Sequence, residues 1–158
     1  MDPEPLLVRP SIPADFDSLY GMYCEVIADG GGTPAGGGPS EETFARGWLE
    51  GRAVFVVELA GDRVGSFFIR SNFPAFAAHI AQSGYIVARR ARRRGVGRAL
   101  VLESLSQAKE MGYSAMMFNL VFETNPSRQL YESVGFTIIG RIPNARRDEA
   151  AFIYWRQL

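Results

Sequence analysis

Val87-Ala88-Arg89-Arg90-Ala91-Arg92-Arg93-Arg94-Gly95-Val96-Gly97-Arg98-Ala99-Leu100 joins the end of a β-rich run to the start of a helical pattern. Upstream, Ile80 to Ala88 reads as a strand. Downstream, Val96, Leu100, Leu105 and Ala108 or Met111 recur at helical spacing from Arg93 to Met111, and Gly112 ends the pattern. The first turn of a helix carries unsatisfied N–H groups and the positive end of the helix dipole, so it favours phosphate. Glycine lets the backbone approach an anion without a Cβ in the way. Arginine adds charge-assisted bonds. A Walker A loop is excluded because no Gly-Lys-Ser/Thr follows. A dinucleotide fingerprint is excluded because Leu100 stands where its third glycine belongs. The stretch reads as a pyrophosphate-binding turn.

Outward from this turn the chain alternates in a recognisable way. Leu6 to Val8 is a short strand, and Pro13 and Asp15 open an amphipathic helix through Phe16, Leu19, Tyr20, Tyr23 and Ile27. Asp29 to Pro39, with six Gly and two Pro, reads as a loop. Ser40 caps a second helix carrying Phe44, Trp48 and Leu49. Val54–Leu59 and Val64–Ile69 form a hairpin about Gly61-Asp62. Beyond the arginine-rich turn and its helix come a strand over Ala115–Phe122, a short helix over Ser127–Val134, a strand over Gly135–Gly140 and a last strand over Ala151–Trp155. Three consecutive strands inside an alternating pattern indicate an α/β (α+β) chain with a mixed sheet and helices on its faces.

Composition narrows the class further. At 158 residues, 47% apolar and 22% charged, the sequence fits one domain, 1–158. Formal charge is zero, yet sixteen of the seventeen basic residues are Arg, and six of them lie between Arg89 and Arg98. That is a local electropositive feature on a neutral body. The arginine bias also suggests a bacterial source with a GC-rich genome. The single Cys24 allows no intramolecular disulfide and no multi-cysteine zinc site, and no metal is expected. The N-terminus lacks a signal-peptide pattern, and no apolar run is long enough for a membrane span. A soluble, cytoplasmic protein with no membrane partner is the expectation.

The stretch from Val87 to Leu100 resembles the Q/R-x-x-G-x-G/A signature of the GNAT superfamily of N-acetyltransferases. Leu130-Tyr131-Glu132-Ser133-Val134-Gly135-Phe136 is similar to the family's Leu-Tyr-x-x-x-Gly-Phe segment. Two such segments in the right order, with a strand between them, are far more specific than either alone. The resemblance covers nearly the whole chain. It implies the GNAT fold, a mostly antiparallel sheet of about seven strands splayed between strands 4 and 5 and flanked by about four helices. It also implies acetyl-CoA as cofactor and an acetyl group passed directly to an amine.

Residue by residue, the resemblance places the pyrophosphate on Arg92, Arg93, Arg94, Gly95, Val96, Gly97, Arg98 and Ala99. It places the pantetheine arm along the backbone of Ile86 and Val87, like an added strand. Tyr131 matches the general acid that protonates the departing thiolate, and the Val87 amide is expected to meet the oxyanion. Two departures stand out. Arg89 replaces the usual Pro after the strand. Asn125 lies six residues before Tyr131, where the family has Asn seven before, so that Thr124 holds that place. Asn125, with Ser127 nearby, is a candidate cofactor contact, and Asn125-Pro126 also suits a helix N-cap.

No residue announces itself as the base. Glu123, at the end of a strand, is the candidate, with Glu58 a second carboxylate and water a third option. Asn72 to Tyr85, Phe118 to Val121 and Gly140 to Ala145 resemble a GNAT subgroup that includes a yeast acetyltransferase acting on the proline analogue azetidine-2-carboxylate, although Gln82 stands where the subgroup usually has Asn. That similarity makes a small-molecule amine the expected substrate, with Asn119 its contact and Phe73 and Tyr85 as pocket walls. A buried Asn on a strand needs a partner, which favours a ligand or a loop. A homodimer is compatible with this reading.

Other readings remain open at this level. A protein N-terminus or lysine could be the acceptor. A GNAT fold could sense acyl-CoA without catalysis, though Tyr131 argues mildly against that. A nucleic-acid module would suit the arginine cluster, but zero net charge and the lack of a groove-reading motif point to no nucleic-acid partner.

Overall fold

A computed structural model of the chain describes residues 5–30 and 38–158, so most of the expected glycine-rich loop, residues 31–37, lies outside the described residues. Among the described residues the order is β1 (Leu7–Pro10), α1 (Phe16–Ala28), α2 (Glu41–Phe44), β2 (Ala53–Leu59), β3 (Asp62–Ser71), β4 (Ile80–Val87), α3 (Val96–Glu110), β5 (Ala115–Phe122), α4 (Arg128–Ser133), β6 (Thr137–Arg146) and β7 (Glu149–Gln157). This is the expected alternation of elements. The strands form one sheet in the order β1-β2-β3-β4-β5-β7-β6. It is mixed: β4 and β5 pair in parallel at Ile80 with Ala115 and Ala81 with Met116, whereas β5 with β7 and β6 with β7 are antiparallel. The chain divides into two compact units, Met1–Ile69 with Gly84–Glu103, and Arg70–Ser83 with Ser104–Leu158.

In the first unit the expected cap on α2 is present, Ser40 Oγ accepting from the Thr43 amide at 3.1 Å. A wider helical turn over Ala45–Leu49 follows and buries Trp48. The Trp48 indole donates to Ser66 Oγ at 3.2 Å, and Ser66 donates to the Phe55 carbonyl at 2.7 Å, so both buried polar groups are partnered. Trp48 also meets Phe68 edge-on at 5.0 Å. Only glycine fits at position 84 of β4, since a Cβ there would lie 2.6 Å from Phe68 Cε1. Asp15 is fully buried and accepts from Arg9 Nη1 (2.8 Å), Arg9 Nη2 (2.9 Å), Arg63 Nε (2.6 Å) and the Ile12 amide (2.8 Å). The Arg9 bonds outweigh the cost of burial and hold the Asp15 carboxyl well below the usual carboxylate range.

Two boundaries differ from the sequence reading for backbone reasons. The β2–β3 loop consists of Ala60 (φ 53°) and Gly61 (φ 81°), between the paired Leu59 and Asp62, one residue earlier than expected. Two left-handed residues match the twist of the flanking strands, and nothing in Ala60 itself advertises that conformation. Likewise α3 begins at Val96 rather than Arg93, because Arg93 (φ 60°) and Gly95 (φ 81°) are both left-handed and lie outside helical geometry.

The second unit contains the β5-β7-β6 meander. Here β6 and β7 extend well past the expected Gly135–Gly140 and Ala151–Trp155. The register with β7 is irregular between Ile138 and Gly140 and between Ile142 and Arg146, spans that contain Gly140 and Pro143.

Candidate functional site

In the first unit, β4 delivers Ile86, buried, and Val87, half-buried, to the turn, and the Ala88 amide ties the strand end to the Val64 carbonyl at 2.9 Å. Arg93, Arg94 and Gly95 are exposed in the left-handed bend, and open space surrounds the Gly95 Cα. Val96 is buried at the head of α3, with Gly97 and Ala99 half-buried and Arg98 exposed beside it. The Ala99 amide bonds the Gly95 carbonyl at 3.1 Å. The amides of Val96 and Gly97 therefore precede the first intrahelical bond, the position at which helix geometry leaves donors for an anion. These features fit a pyrophosphate: a bent backbone, unscreened glycine and two exposed arginines at one helix start.

The arginine stretch divides its labour. Arg89 bonds the Asp29 carboxylate through Nε (3.1 Å) and Nη2 (2.8 Å), and its amide donates to Glu25 Oε2 at 2.7 Å. Arg92 donates to Asp29 Oδ2 at 2.5 Å and to the Val87 carbonyl at 3.2 Å. Arg90 donates to the Arg63 carbonyl at 3.0 Å. Asp29, at the end of α1, has its carboxyl held below the usual range by Arg89 first and Arg92 second. Arg92 thus braces the end of β4, while Arg93 and Arg94 remain exposed to solvent. Glu58, the second carboxylate considered, is paired with Arg9 through Nη2 at 2.6 Å. Tyr85 is half-buried on β4.

In the second unit, Tyr131 sits on α4 with its ring 4.8 Å from Phe118, 6.0 Å from Phe136 and 5.9 Å from Tyr154. Burial pushes the Tyr131 phenol up to about 12, against a smaller opposing pull from its hydrogen bond with the Ser127 side chain. Such a phenol keeps its proton through neutral pH and so is present as a donor. Ser127 serves a second purpose, its amide donating to Asn125 Oδ1 at 2.8 Å. Asn125 therefore closes a tight turn ahead of α4 but does not cap it: the N-cap position is Ser127, which makes no side-chain capping bond. Thr124 is held by Glu149 Oε1, which accepts from the Thr124 amide at 2.8 Å and also bonds the Thr124 hydroxyl. Those two bonds and Arg146 lower the Glu149 carboxyl to about 2. Glu123 is exposed, and its carbonyl accepts from Arg128 Nη1 at 3.0 Å.

Asn119, half-buried on β5, has a loop partner. Its Nδ2 donates to Asn72 Oδ1, and Asn72 Nδ2 donates to Asn119 Oδ1, both at 2.7 Å. Gln82 accepts from Arg70 Nε at 2.8 Å. Phe73 is half-buried, whereas Phe76 is fully exposed beside the left-handed Ala75 (φ 52°). Asn72, Tyr154 and Asp29 carry more of the local structure than the sequence reading assigned them. The signal for Asn72 was the need of a strand Asn for a partner; the other two announce themselves only through their contacts. Among the described residues no cluster of three or more His, Cys, Asp or Glu could hold a metal, and no helix is long and apolar enough to cross a membrane.

A model of the acetyltransferase (GNAT) family matches residues 25–136. The N-acetyltransferase aca1 of Schizosaccharomyces pombe is 39% identical over 85 residues, which are 53% of this chain and 41% of that protein. The match thus spans about two fifths of that relative's length. Among solved structures, a GCN5-related N-acetyltransferase from Kribbella flavida is 30% identical, with a TM-score of 0.89 over 97% of this chain and 98% of that one. A GNAT superfamily phosphinothricin acetyltransferase from Sinorhizobium meliloti, in complex with acetyl-CoA, shares the fold at a TM-score of 0.77 and 22% identity, over 97% of this chain and 88% of the other.

Proposed function

The chain belongs to the acetyltransferase (GNAT) family, and from that premise we propose that it moves the acetyl group of acetyl-CoA onto the amine of a small molecule or amino acid. The observation that carries the reading is Tyr131: a phenol enclosed by Phe118, Phe136 and Tyr154 and kept protonated by burial. In this reading the amine nitrogen attacks the thioester carbonyl carbon, the carbon–sulfur bond breaks, and the thiolate takes the proton of Tyr131. The attacking nitrogen gives up its own proton to Glu123 or to water. Tyr131 then recovers a proton from solvent.

The cofactor half rests on the turn. The amides at the start of α3, with Arg93 and Arg94, are assigned to the pyrophosphate, and the backbone of Ile86 and Val87 to the pantetheine arm. Arg92 is assigned a double part, bracing Val87 and lying beside the same anion. Asn125 and Ser127 are assigned a supporting part, shaping the turn that carries Tyr131. Asn119, Phe73 and Tyr85 are assigned to the acceptor. The preference for a small amine rests on the similarity of Asn72–Tyr85 and Phe118–Val121 to the azetidine-2-carboxylate subgroup.

The test is a panel of amines, amino acids including azetidine-2-carboxylate, and peptides with free N-termini or lysines, assayed for free CoA release. Turnover with an amino acid or small amine supports the proposal. Turnover confined to peptides would move the acceptor to a protein. Acetyl-CoA binding without release for any acceptor would make the chain a sensor.

A further inference from the structure

Tyr131 is carried by a helix of six residues, Arg128–Ser133. So short a helix has little stability of its own and depends on what it is packed against. The side chain that grips it is Tyr154, on β7, which is fully buried. The Tyr154 hydroxyl donates to Glu132 Oε1 at 2.8 Å and accepts from Arg128 Nε at 3.0 Å. One phenol oxygen therefore holds both the first residue of α4 and the residue next to Tyr131. Arg128 is fixed from two further directions, its guanidinium lying over the Phe152 ring at 4.3 Å and its Nη1 donating to the Glu123 carbonyl. Tyr154 is also the cross-strand partner of Phe118, the ring packed at 4.8 Å against Tyr131. The same residue thus sets the helix from below and one wall of the Tyr131 enclosure from the side.

We propose that Tyr154, through its bonds to Arg128 and Glu132, is a positioning residue for the acid Tyr131. The inference rests on the assignment of Tyr131 above. A buried hydroxyl with both a cationic donor and an anionic acceptor is fully partnered, so its bonds are directional and resist sliding. Without the hydroxyl, Arg128 and Glu132 lie four residues apart on one helix face and can pair with each other. The helix then survives but is no longer tied to β7, and Tyr131 loses its fixed placement. Misplacement of about 1 Å can cost on the order of a hundredfold in rate.

The experiment compares Tyr131→Phe, Tyr154→Phe and the double variant of the full chain. The donor is acetyl-CoA, and the acceptor is whichever panel member the unmodified chain uses fastest; acetyl-CoA hydrolysis is followed if none is used. Tyr154→Phe is expected to lower kcat on the order of tenfold while leaving KM for acetyl-CoA within about twofold. In the Tyr131→Phe background the same change should have no further effect, because the two act as one unit. A full loss of rate carried over additively into the double variant would overturn the proposal, as would undiminished kcat in Tyr154→Phe. If Tyr131→Phe itself turns over at the normal rate, the acid assignment is what fails. Should Tyr154→Phe not fold, Glu132→Ala removes the acceptor at an exposed position, and Glu132→Gln should recover part of the kcat it loses. Equal rates for Glu132→Ala and the unmodified chain would overturn the proposal by this second route.

Discussion

The side-chain amides of Asn72 and Asn119 bond each other twice, each Nδ2 donating to the other's Oδ1 at 2.7 Å. Each amide satisfies one donor and one acceptor of its neighbour and keeps one N–H and one lone pair for a third party. A loop residue and a strand residue are thereby locked in register.

Because each member satisfies the other, removing one leaves half-buried polar groups without a partner. Asn72→Ala and Asn119→Ala should each lower the unfolding free energy by about 1–2 kcal/mol. The double variant should be less destabilised than their sum, by about 1 kcal/mol. Urea unfolding of the four proteins checks this, and strict additivity would show that the pair contributes no coupling.

Gly95 has left-handed φ and open space about it, so a side chain there is opposed by backbone strain and by any anion at the turn rather than by packing. Gly95→Val is expected to weaken CoA affinity on the order of tenfold, and Gly95→Asn, which tolerates left-handed φ, to weaken it less. Calorimetric titration with CoA reads both. Equal affinity in Gly95→Val would remove the turn from cofactor binding.

Tyr131→Phe should lower kcat on the order of a hundredfold with little change in KM for acetyl-CoA. Burial places the phenol at about 12, so it stays protonated and its ionisation should not appear as a fall in kcat below about pH 10. An alkaline limb with a lower midpoint that disappears in Tyr131→Phe would contradict the burial argument.

Asp15 links stability to acid. Its folded carboxyl lies below the unfolded reference of about 3.9, so its stabilisation is fully present above that reference. It is lost as pH falls below the reference toward the folded value. The urea midpoint should fall progressively as pH drops below about 4. Asp15→Asn should lower the midpoint at neutral pH and flatten this part of the profile. An unchanged slope in Asp15→Asn would assign the acid sensitivity to other carboxylates.

The order of strands and helices was legible because apolar periodicity and glycine punctuation survive folding unaltered: Ala115–Phe122 was read to the residue. The bend before α3 was misplaced because left-handed φ at Arg93 leaves no mark on residue type. The expected strand ends at Gly140, whereas β6 runs on to Arg146 through register shifts that depend on β7. At the candidate site, the glycine turn stands out from local pattern, whereas Tyr131 and Asn119 are singled out by the family resemblance. Tyr154 is marked by neither, since a tyrosine near the C-terminus becomes informative only when Arg128 and Glu132, more than twenty residues earlier, converge on it. The arginine cluster read as uniformly available charge, and only the fold reveals that Asp29 takes up two of its members.

That engagement of Asp29 by Arg89 and Arg92 has a consequence for ionic strength. Arginines already neutralised by a carboxylate release few counterions when a further anion arrives, and uncharged peptide N–H groups release none. An anion held at this turn chiefly by amides, with Arg93 and Arg94 at its edge, would lose comparatively little affinity as salt is raised. The stretch that looks in sequence like a uniform run of positive charge is, in the fold, partly neutralised from within by Asp29.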